Sequence, residues 1–467
     1  MTTRRDLFGH PKGLTFLFAT EMWERFSYYG MRSLLVLYMV KYLFRPGRAE
    51  TVMGFGALKH ALESLSGPLD VQPLASLVYG LYTGFVYLTP IFGGLLADRV
   101  LGQRRTVVLG AILMAIGHFM MAIDSLFLLA LLMLILGNGA FKPNISTQVG
   151  SLYAPGDPRR DRAYSVFYLG INLGAFLAPL VCGALGERVG WHYGFGAAGI
   201  GMSIGLAIYL YALRDLPSDR LHDTNSARVE ERRLDREGRR VLLALLLICL
   251  PVALFWAAYE QQGNTMILWA DGFTDRSVNL AFWKGEIPTT WFLAINPLMI
   301  FALTPLIIAL WARQAKRGRE PSSVAKMALG CAGVALANLI MVVAAWHTGS
   351  AGKASWFWLV AYTLVVTAGE LYLSPIGLSL VSKAAPPSAI SVMMGLWLAT
   401  SFPGNLLAGR LGRSWNSMDK PYFFLMIAAI AAGAGAAIWI LSRLLKPVLE
   451  KEPAVSLASA EAGKWPL

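Results

Sequence analysis

Apolar residues run along this chain in long blocks separated by short polar turns. Twelve blocks are long enough for a helix to cross a bilayer, which takes about 20 mostly apolar residues. They span 14–42, 72–97, 105–123, 126–149, 163–185, 191–213, 240–262, 289–312, 324–346, 355–383, 388–409 and 421–445. All are too long for barrel strands, and none alternates with period two. The pattern predicts an all-α polytopic membrane protein with twelve transmembrane helices. One long polar stretch interrupts it: residues 214–240 hold eight basic and seven acidic residues. Six spans lie on each side. The expected organisation is an N-terminal six-helix bundle (14–213), a charged linker (214–240), a C-terminal six-helix bundle (241–446) and a tail (447–467). The first block carries glutamates and arginines, and no small-residue cleavage site follows it. It reads as a span, not a cleaved leader.

Composition supports this pattern. The 467 residues are 56% hydrophobic and only 15% charged, against about 25% charged in soluble domains. So few charges exclude a soluble protein and a disordered chain. The net charge of +13 describes topology more than partners. With the N-terminus taken as cytoplasmic, the loops and helix ends on its side hold 27 of the 41 basic residues; the other side holds 11. The positive-inside rule then puts both termini in the cytoplasm. The expected setting is a multi-pass protein of the cell's inner (plasma) membrane that contacts lipid and not nucleic acid. Cys182, Cys249 and Cys331 sit in apolar segments at spacings that match no metal site. No metal and no cofactor are expected.

Ionised residues inside a span each cost on the order of 2.5–3.5 kcal/mol by insertion scales. Span 1 nevertheless carries Glu21, Glu24, Arg25 and Arg32, interleaved with Tyr28 and Tyr29. At about 100° per residue, Glu21, Arg25, Tyr28 and Arg32 share one face. Lys142 precedes Pro143 in span 4, and a lysine there needs an acidic partner or a bound anion. Glu260 in span 7 is a candidate partner. Glu370 lies in span 10, five residues before Pro375. Two cations on the first half, Arg32 and Lys142, and a carboxylate on the second would be bridged by a zwitterionic solute. Glu21, Glu24 and Glu260 would be the groups that exchange protons. In 93–105, GGLLADRVLGQRR, Asp98, Arg99 and Arg105 are placed to tie helix ends together as a conformational latch.

An enzyme is disfavoured: there is no HExxH, no paired intramembrane aspartates and no serine–histidine arrangement, and the six histidines are scattered. A channel is disfavoured by the lack of a filter-like repeat or a ring of one charge sign. Six plus six spans around a charged linker resemble the major facilitator architecture, which binds its solute near the membrane midplane between two bundles.

The motifs narrow the resemblance. Glu21-Met-Trp-Glu24-Arg25-Phe26 followed by Tyr28-Tyr29-Gly30 resembles the ExxERFxYYG signature of the proton-dependent oligopeptide transporter family. The span 5 run Tyr164 to Phe176 resembles that family's second signature. FKPNIS (141–146), Trp256 to Glu260 and GELYLSPIGL (369–378) match as well. The resemblance implies the major facilitator fold and proton-coupled import of di- and tripeptides by alternating access, by a monomer. It implies that Arg32 and Lys142 contact the peptide carboxylate, and Glu370 and Asn296 its amino group. Tyr29, Tyr87, Tyr168 and Asn172 would hold the backbone, and Trp397 would wall a side-chain pocket. Glu21, Glu24, Arg25 and Glu260 would couple protons, with Lys142 and Glu260 pairing at an outer gate.

Three departures qualify it. Residues 214–240 are too short for the two extra helices many bacterial members carry. Leu293-Ala294-Ile295-Asn296-Pro297 replaces the usual QSxNP, which makes that wall more apolar. Gly80 stands where animal members have a histidine. The second departure keeps an alternative open: amino acids, peptide-like drugs or another small organic anion. The loop 43–71 is long, and 52–65 predicts a short amphipathic helix on the outer surface.

Overall fold

The computed structural model describes residues 6–7, 9–154, 157–217, 219, 236–280, 283–349, 352–385 and 390–449. Each predicted span is helical where it is described. Helix 1 is Lys12–Tyr38, helix 2 Val71–Leu101, helix 3 Gln103–Met120, helix 4 Asp124–Ser151, helix 5 Arg159–Arg188 and helix 6 Trp191–Ala212. Helix 7 is Gly238–Gly272, helix 8 Thr289–Lys316, helix 9 Ser323–Thr348, helix 10 Phe357–Ala384 and helix 12 Lys420–Leu445. Helix 11 consists of two pieces, Ile390–Ala399 and Ser401–Gly412. Among the described residues, nine of these are long and apolar enough to cross a membrane. The other three have local reasons to fall short. Helix 1 carries its buried charges, helix 3 opens on Arg104 and Arg105, and helix 11 is broken at Thr400.

The chain between helices 1 and 2 forms the expected short helix, Phe55–Ser66. Strand structure, not anticipated, occurs only outside the helices among the described residues. Ser277–Leu280 pairs antiparallel with Trp283–Glu286, and Thr274–Asp275 pairs in parallel with Ala354–Ser355. Most of the expected linker and tail, residues 218, 220–235 and 450–467, lies outside the described residues.

The start of the linker is strapped to the first bundle. Gly102 adopts a left-handed turn (φ 79°) that ends helix 2 and aims Arg104 back at the chain leaving helix 6. The Arg104 guanidinium donates to the carbonyls of Leu216 and of Pro217 (2.6 Å), and its backbone N–H meets Asp219 Oδ1 at 2.9 Å. Asp219 thus places a carboxylate at the N-terminus of helix 3, where the exposed backbone amides favour an anion.

The polar contacts that join the two bundles among the described residues all lie at or toward the end opposite the linker. Lys41 Nζ meets Asp271 Oδ1 at 2.6 Å. The Glu187 carboxylate accepts the backbone amides of Thr289 (2.8 Å) and Thr290 (2.7 Å), capping the first turn of helix 8. Ser76 donates to Asn264 Oδ1 at 2.8 Å, and Gln72 to the Gly412 carbonyl at 2.9 Å. Between them helices 2 and 11 touch backbone to backbone. A methyl group at Gly80 would sit 2.7 Å from the Asn405 carbonyl oxygen and 2.8 Å from the Gly409 Cα. The molecule is therefore closed at the far end, while its linker end lacks such bridges among the described residues. Small residues permit this approach where lipid gives no hydrophobic drive for helix association.

The substitution Gly80→Leu should hold the seam open. Spin labels on the far-end loops should then report a longer mean separation than in the wild-type chain. An unchanged distance distribution would show that the seam has slack.

Candidate functional site

Between the bundles lies a cavity of about 530 Å³, within the usual range for small-molecule sites. Helices 1, 2, 4 and 5 supply Tyr29, Arg32, Tyr87, Lys142, Tyr168 and Asn172 to its lining. Helices 7, 8, 10 and 11 supply Trp256, Tyr259, Glu260, Leu293, Asn296, Glu370 and Trp397. Every residue expected to touch a solute thus lines one space, including Leu293 of the apolar departure.

Charge divides across this space. On the first bundle, Arg32 donates through Nε (3.0 Å) and Nη2 (2.7 Å) to the Tyr79 hydroxyl. Its Nη2 also pairs with Glu260 Oε2 on helix 7. Glu260 is 2% exposed, and a carboxylate that deep requires a cation and hydrogen bonds to offset its desolvation. Lys142 Nζ stands 4.7 Å from the centre of the Tyr87 ring, a cation–π distance. The expected Lys142–Glu260 pair is not formed, because Glu260 is turned to Arg32. Among the described residues, no carboxylate comes within ion-pair distance of Lys142.

On the second bundle, Glu370 Oε2 accepts from the Tyr259 hydroxyl at 2.6 Å and from Asn296 Nδ2 at 3.1 Å. Asn296 Nδ2 also reaches Thr367 Oγ1 at 2.9 Å. Asn172 uses its amide on its own helix, donating to the Tyr168 carbonyl at 3.0 Å. Trp397 is buried against Gly377, where any Cβ would collide with the indole. That glycine lets helix 10 accommodate the aromatic wall.

Glu21, Glu24 and Arg25 do not line the cavity. They form a buried cluster inside the first bundle. Arg25 Nε lies 3.0 Å from Glu21 Oε1 and also pairs with Glu24, whose Oε1 receives Asn138 Nδ2 at 3.2 Å. Glu21 Oε2 is buried with no hydrogen-bond partner among the described residues. Seven residues, or about 10 Å of helix rise, separate Arg25 from Arg32. The cluster therefore sits nearer the linker end than the Arg32–Glu260 bridge.

Asp98, Arg99 and Arg105 are exposed, and none makes an ion pair or side-chain hydrogen bond among the described residues. Their neighbour Arg104 binds the start of the linker, since the turn at Gly102 points it inward. The three residues lie at the linker end, which is not bridged in this conformation. Sequence reasoning also passed over Tyr259 and Asn138, and noted Tyr79 in span 2 without giving it a role. The hydroxyls of Tyr259 and Tyr79 serve charged partners, whereas tyrosines in a membrane chain more often read as an interfacial belt.

Two helical bundles enclosing a charged central cavity, sealed at one end, define a membrane carrier. The POT family model matches residues 104–229 and 218–420. The peptide transporter YePEPT of Yersinia enterocolitica is 37% identical, over 87% of this chain and 88% of its own length. A di-/tripeptide transporter of Lactococcus lactis is 31% identical, over 96% of this chain and 98% of its own. Among solved structures, a mutant of a peptide transporter POT in complex with alafosfalin superposes with a TM-score of 0.82. It is 31% identical, covering 96% of this chain and 98% of that one. A POT family transporter in complex with 5-aminolevulinic acid superposes with a TM-score of 0.81 at 26% identity, covering 96% and 99%. The chain belongs to the proton-dependent oligopeptide transporter (POT) family. It is a multi-pass membrane transporter and not an enzyme.

Removing one partner of a buried ion pair strands the other, at a cost of about 3–5 kcal/mol. Glu260→Ala should therefore lower the thermal midpoint in detergent clearly. Lys142→Met should leave it unchanged or raise it, because it deletes a buried cation that forms no ion pair among the described residues. Equal losses in both variants would contradict this assignment of partners.

Proposed function

We propose that the protein imports di- and tripeptides across the plasma membrane together with protons, by alternating access, with both termini in the cytoplasm. One observation carries the reading: Lys142, an ammonium with no carboxylate at ion-pair distance among the described residues, faces the same cavity as the Glu370 carboxylate on the opposite bundle. A peptide carries the complementary charges at its two ends. Its carboxylate is drawn to Lys142 and Arg32, and its ammonium to Glu370 and Asn296. Tyr29, Tyr87, Tyr168 and Asn172 are available to its backbone, and Trp397 with Leu293 forms an apolar wall for a side chain. Termini and backbone are common to all short peptides, so this set of contacts favours breadth over selectivity. The names of the peptide-transporting relatives support the same substrate class.

Coupling follows from the bridge between bundles. Glu260 and the peptide carboxylate compete for Arg32. A proton on Glu260 removes its charge, frees Arg32 for the substrate and loosens the far end. Glu21 and Glu24, held around Arg25, form the second proton-exchanging group, toward the linker end. When the far end opens and the linker end closes, Asp98, Arg99 and Arg105 become available as a latch. The protein works as a monomer, since both bundles of one chain complete the cavity.

The apolar Leu293 and the relative bound to 5-aminolevulinic acid give a second reading, a small amino-carboxylate as cargo. Such a solute carries the same two end charges without a peptide bond.

The test is uptake by purified protein in liposomes with an imposed inward proton gradient. Alanyl-alanine should accumulate, and di- and tripeptides should compete while tetrapeptides and single amino acids compete poorly. Failure of every dipeptide to compete would reject peptide transport, and competition by 5-aminolevulinic acid alone would favour the second reading. Glu21→Gln should abolish proton-driven accumulation and retain counterflow exchange of peptide for peptide. Retained pH-driven accumulation in that variant would remove Glu21 from the coupling group.

A further inference from the structure

The two donors on Glu370 converge on the same oxygen. Tyr259 and Asn296 both bond Oε2, whereas Oε1 has no protein partner among the described residues and is not sealed from the cavity. The Tyr259 bond is the shorter, at 2.6 Å against 3.1 Å. A hydroxyl donating to a carboxylate forms a charge-assisted bond, stronger than a neutral one. It fixes the rotation of the carboxyl group, and with it the direction in which the second oxygen points.

Tyr259 is itself held. Its ring stacks on Phe255 (centroids 5.8 Å apart, planes at 14°) and meets the Trp256 indole edge-on at 5.5 Å. The chain leaves the α-helix immediately after Tyr259 and enters a tighter turn at Glu260. Successive residues on such a turn face in different directions. Tyr259 therefore serves the second bundle's carboxylate, while Glu260 serves Arg32 of the first. Two bonds to the Ala408 carbonyl, from Gln261 (3.0 Å) and Asn264 (3.2 Å), pin this turn within helix 7.

We propose that Tyr259 is a positioning residue that holds Glu370 with a single oxygen, Oε1, presented to the substrate's ammonium. This rests on the peptide-transport reading above. Without the hydroxyl, Glu370 keeps only the longer Asn296 bond, and the ammonium meets a less firmly oriented acceptor, while the contacts to the carboxylate end are untouched. Preorganisation of this kind acts on affinity, so the effect should fall on substrates that carry a free amino group.

The experiment compares alanyl-alanine with N-acetyl-alanyl-alanine, which lacks the ammonium, as competitors of dipeptide exchange in liposomes. Wild type, Tyr259→Phe, Glu370→Gln and the double variant are each measured. In Tyr259→Phe the half-inhibiting concentration of alanyl-alanine should rise about three- to tenfold, the size of one weakened charge-assisted bond. The value for the acetylated peptide and the maximal exchange rate should not change. In the Glu370→Gln background, adding Tyr259→Phe should have no further effect, because groups acting as a unit are not additive. The ratio of the two competitors does not depend on how much protein is active, so partial misfolding cannot mimic the result. An unchanged ratio in Tyr259→Phe, or additive effects of the two substitutions, would overturn the role of Tyr259 and leave peptide transport standing. A wild-type protein that exchanges no dipeptide would overturn both.

Discussion

The Arg32–Glu260 ion pair is the interaction on which the described conformation depends. It joins a helix of the first bundle to a helix of the second, deep in a chain with few charges. Neither partner is inexpensive to bury, and each offsets the desolvation of the other only while the bundles stay together. The Tyr79 hydroxyl completes the arrangement by accepting two bonds from the same guanidinium. Around this centre the remaining bridges gather at one end: Lys41 with Asp271, Glu187 over the start of helix 8, and the glycine seam of helices 2 and 11. Conformation is thereby tied to the charge on Glu260, a link that neither bundle could provide alone.

The cavity inherits its polarity from the same separation. The first bundle contributes the cations Arg32 and Lys142 and the second the carboxylates Glu260 and Glu370, so the electric field across the space is a property of the assembled pair. Lys142 shows how the field is kept available. Its partner is the face of Tyr87, which attracts an ammonium without neutralising it. Glu370 is restrained in the same spirit, with its donors among the described residues on one oxygen. Both groups are ordered by the protein yet remain incompletely satisfied, which is the condition a ligand with two charged ends can exploit.

Much of this was legible along the chain, because the bilayer imposes one strong rule. Backbone polar groups must bond internally, so long apolar runs become helices, and charges inside them stand out. The helical spans and the charged residues within them followed from that rule, and the family resemblance supplied the charged, tyrosine and amide residues expected to touch a solute, all of which line the cavity. What escaped were relations between helices distant in sequence. Glu260 was expected to face Lys142 and faces Arg32, because hydropathy says nothing about how one rigid bundle is rotated on the other. Arg104 was passed over for its neighbour Arg105, since the left-handed turn at Gly102 decides which of two adjacent arginines points inward. Tyr259 was hidden by composition: seventeen tyrosines offer no internal sign of which hydroxyl meets a carboxylate.

The seam between helices 2 and 11 carries a consequence for the rate of the cycle. Gly80 and Gly84 on one helix and Gly409 and Gly412 on the other bring no side chain of their own to the contact: Gly80 and Gly409 meet backbone, Gly412 meets the Ser76 and Asn264 side chains, and Gly84 meets Phe402 and Leu406. Immobilising a long side chain at an interface costs about 0.5–1.5 kcal/mol in rotamer freedom. These four positions have no rotamers to freeze when the surfaces meet and none to release when they part. The seam can form and dissolve many times without an entropic toll at those positions, which leaves the ion pair beside it to determine when the surfaces separate.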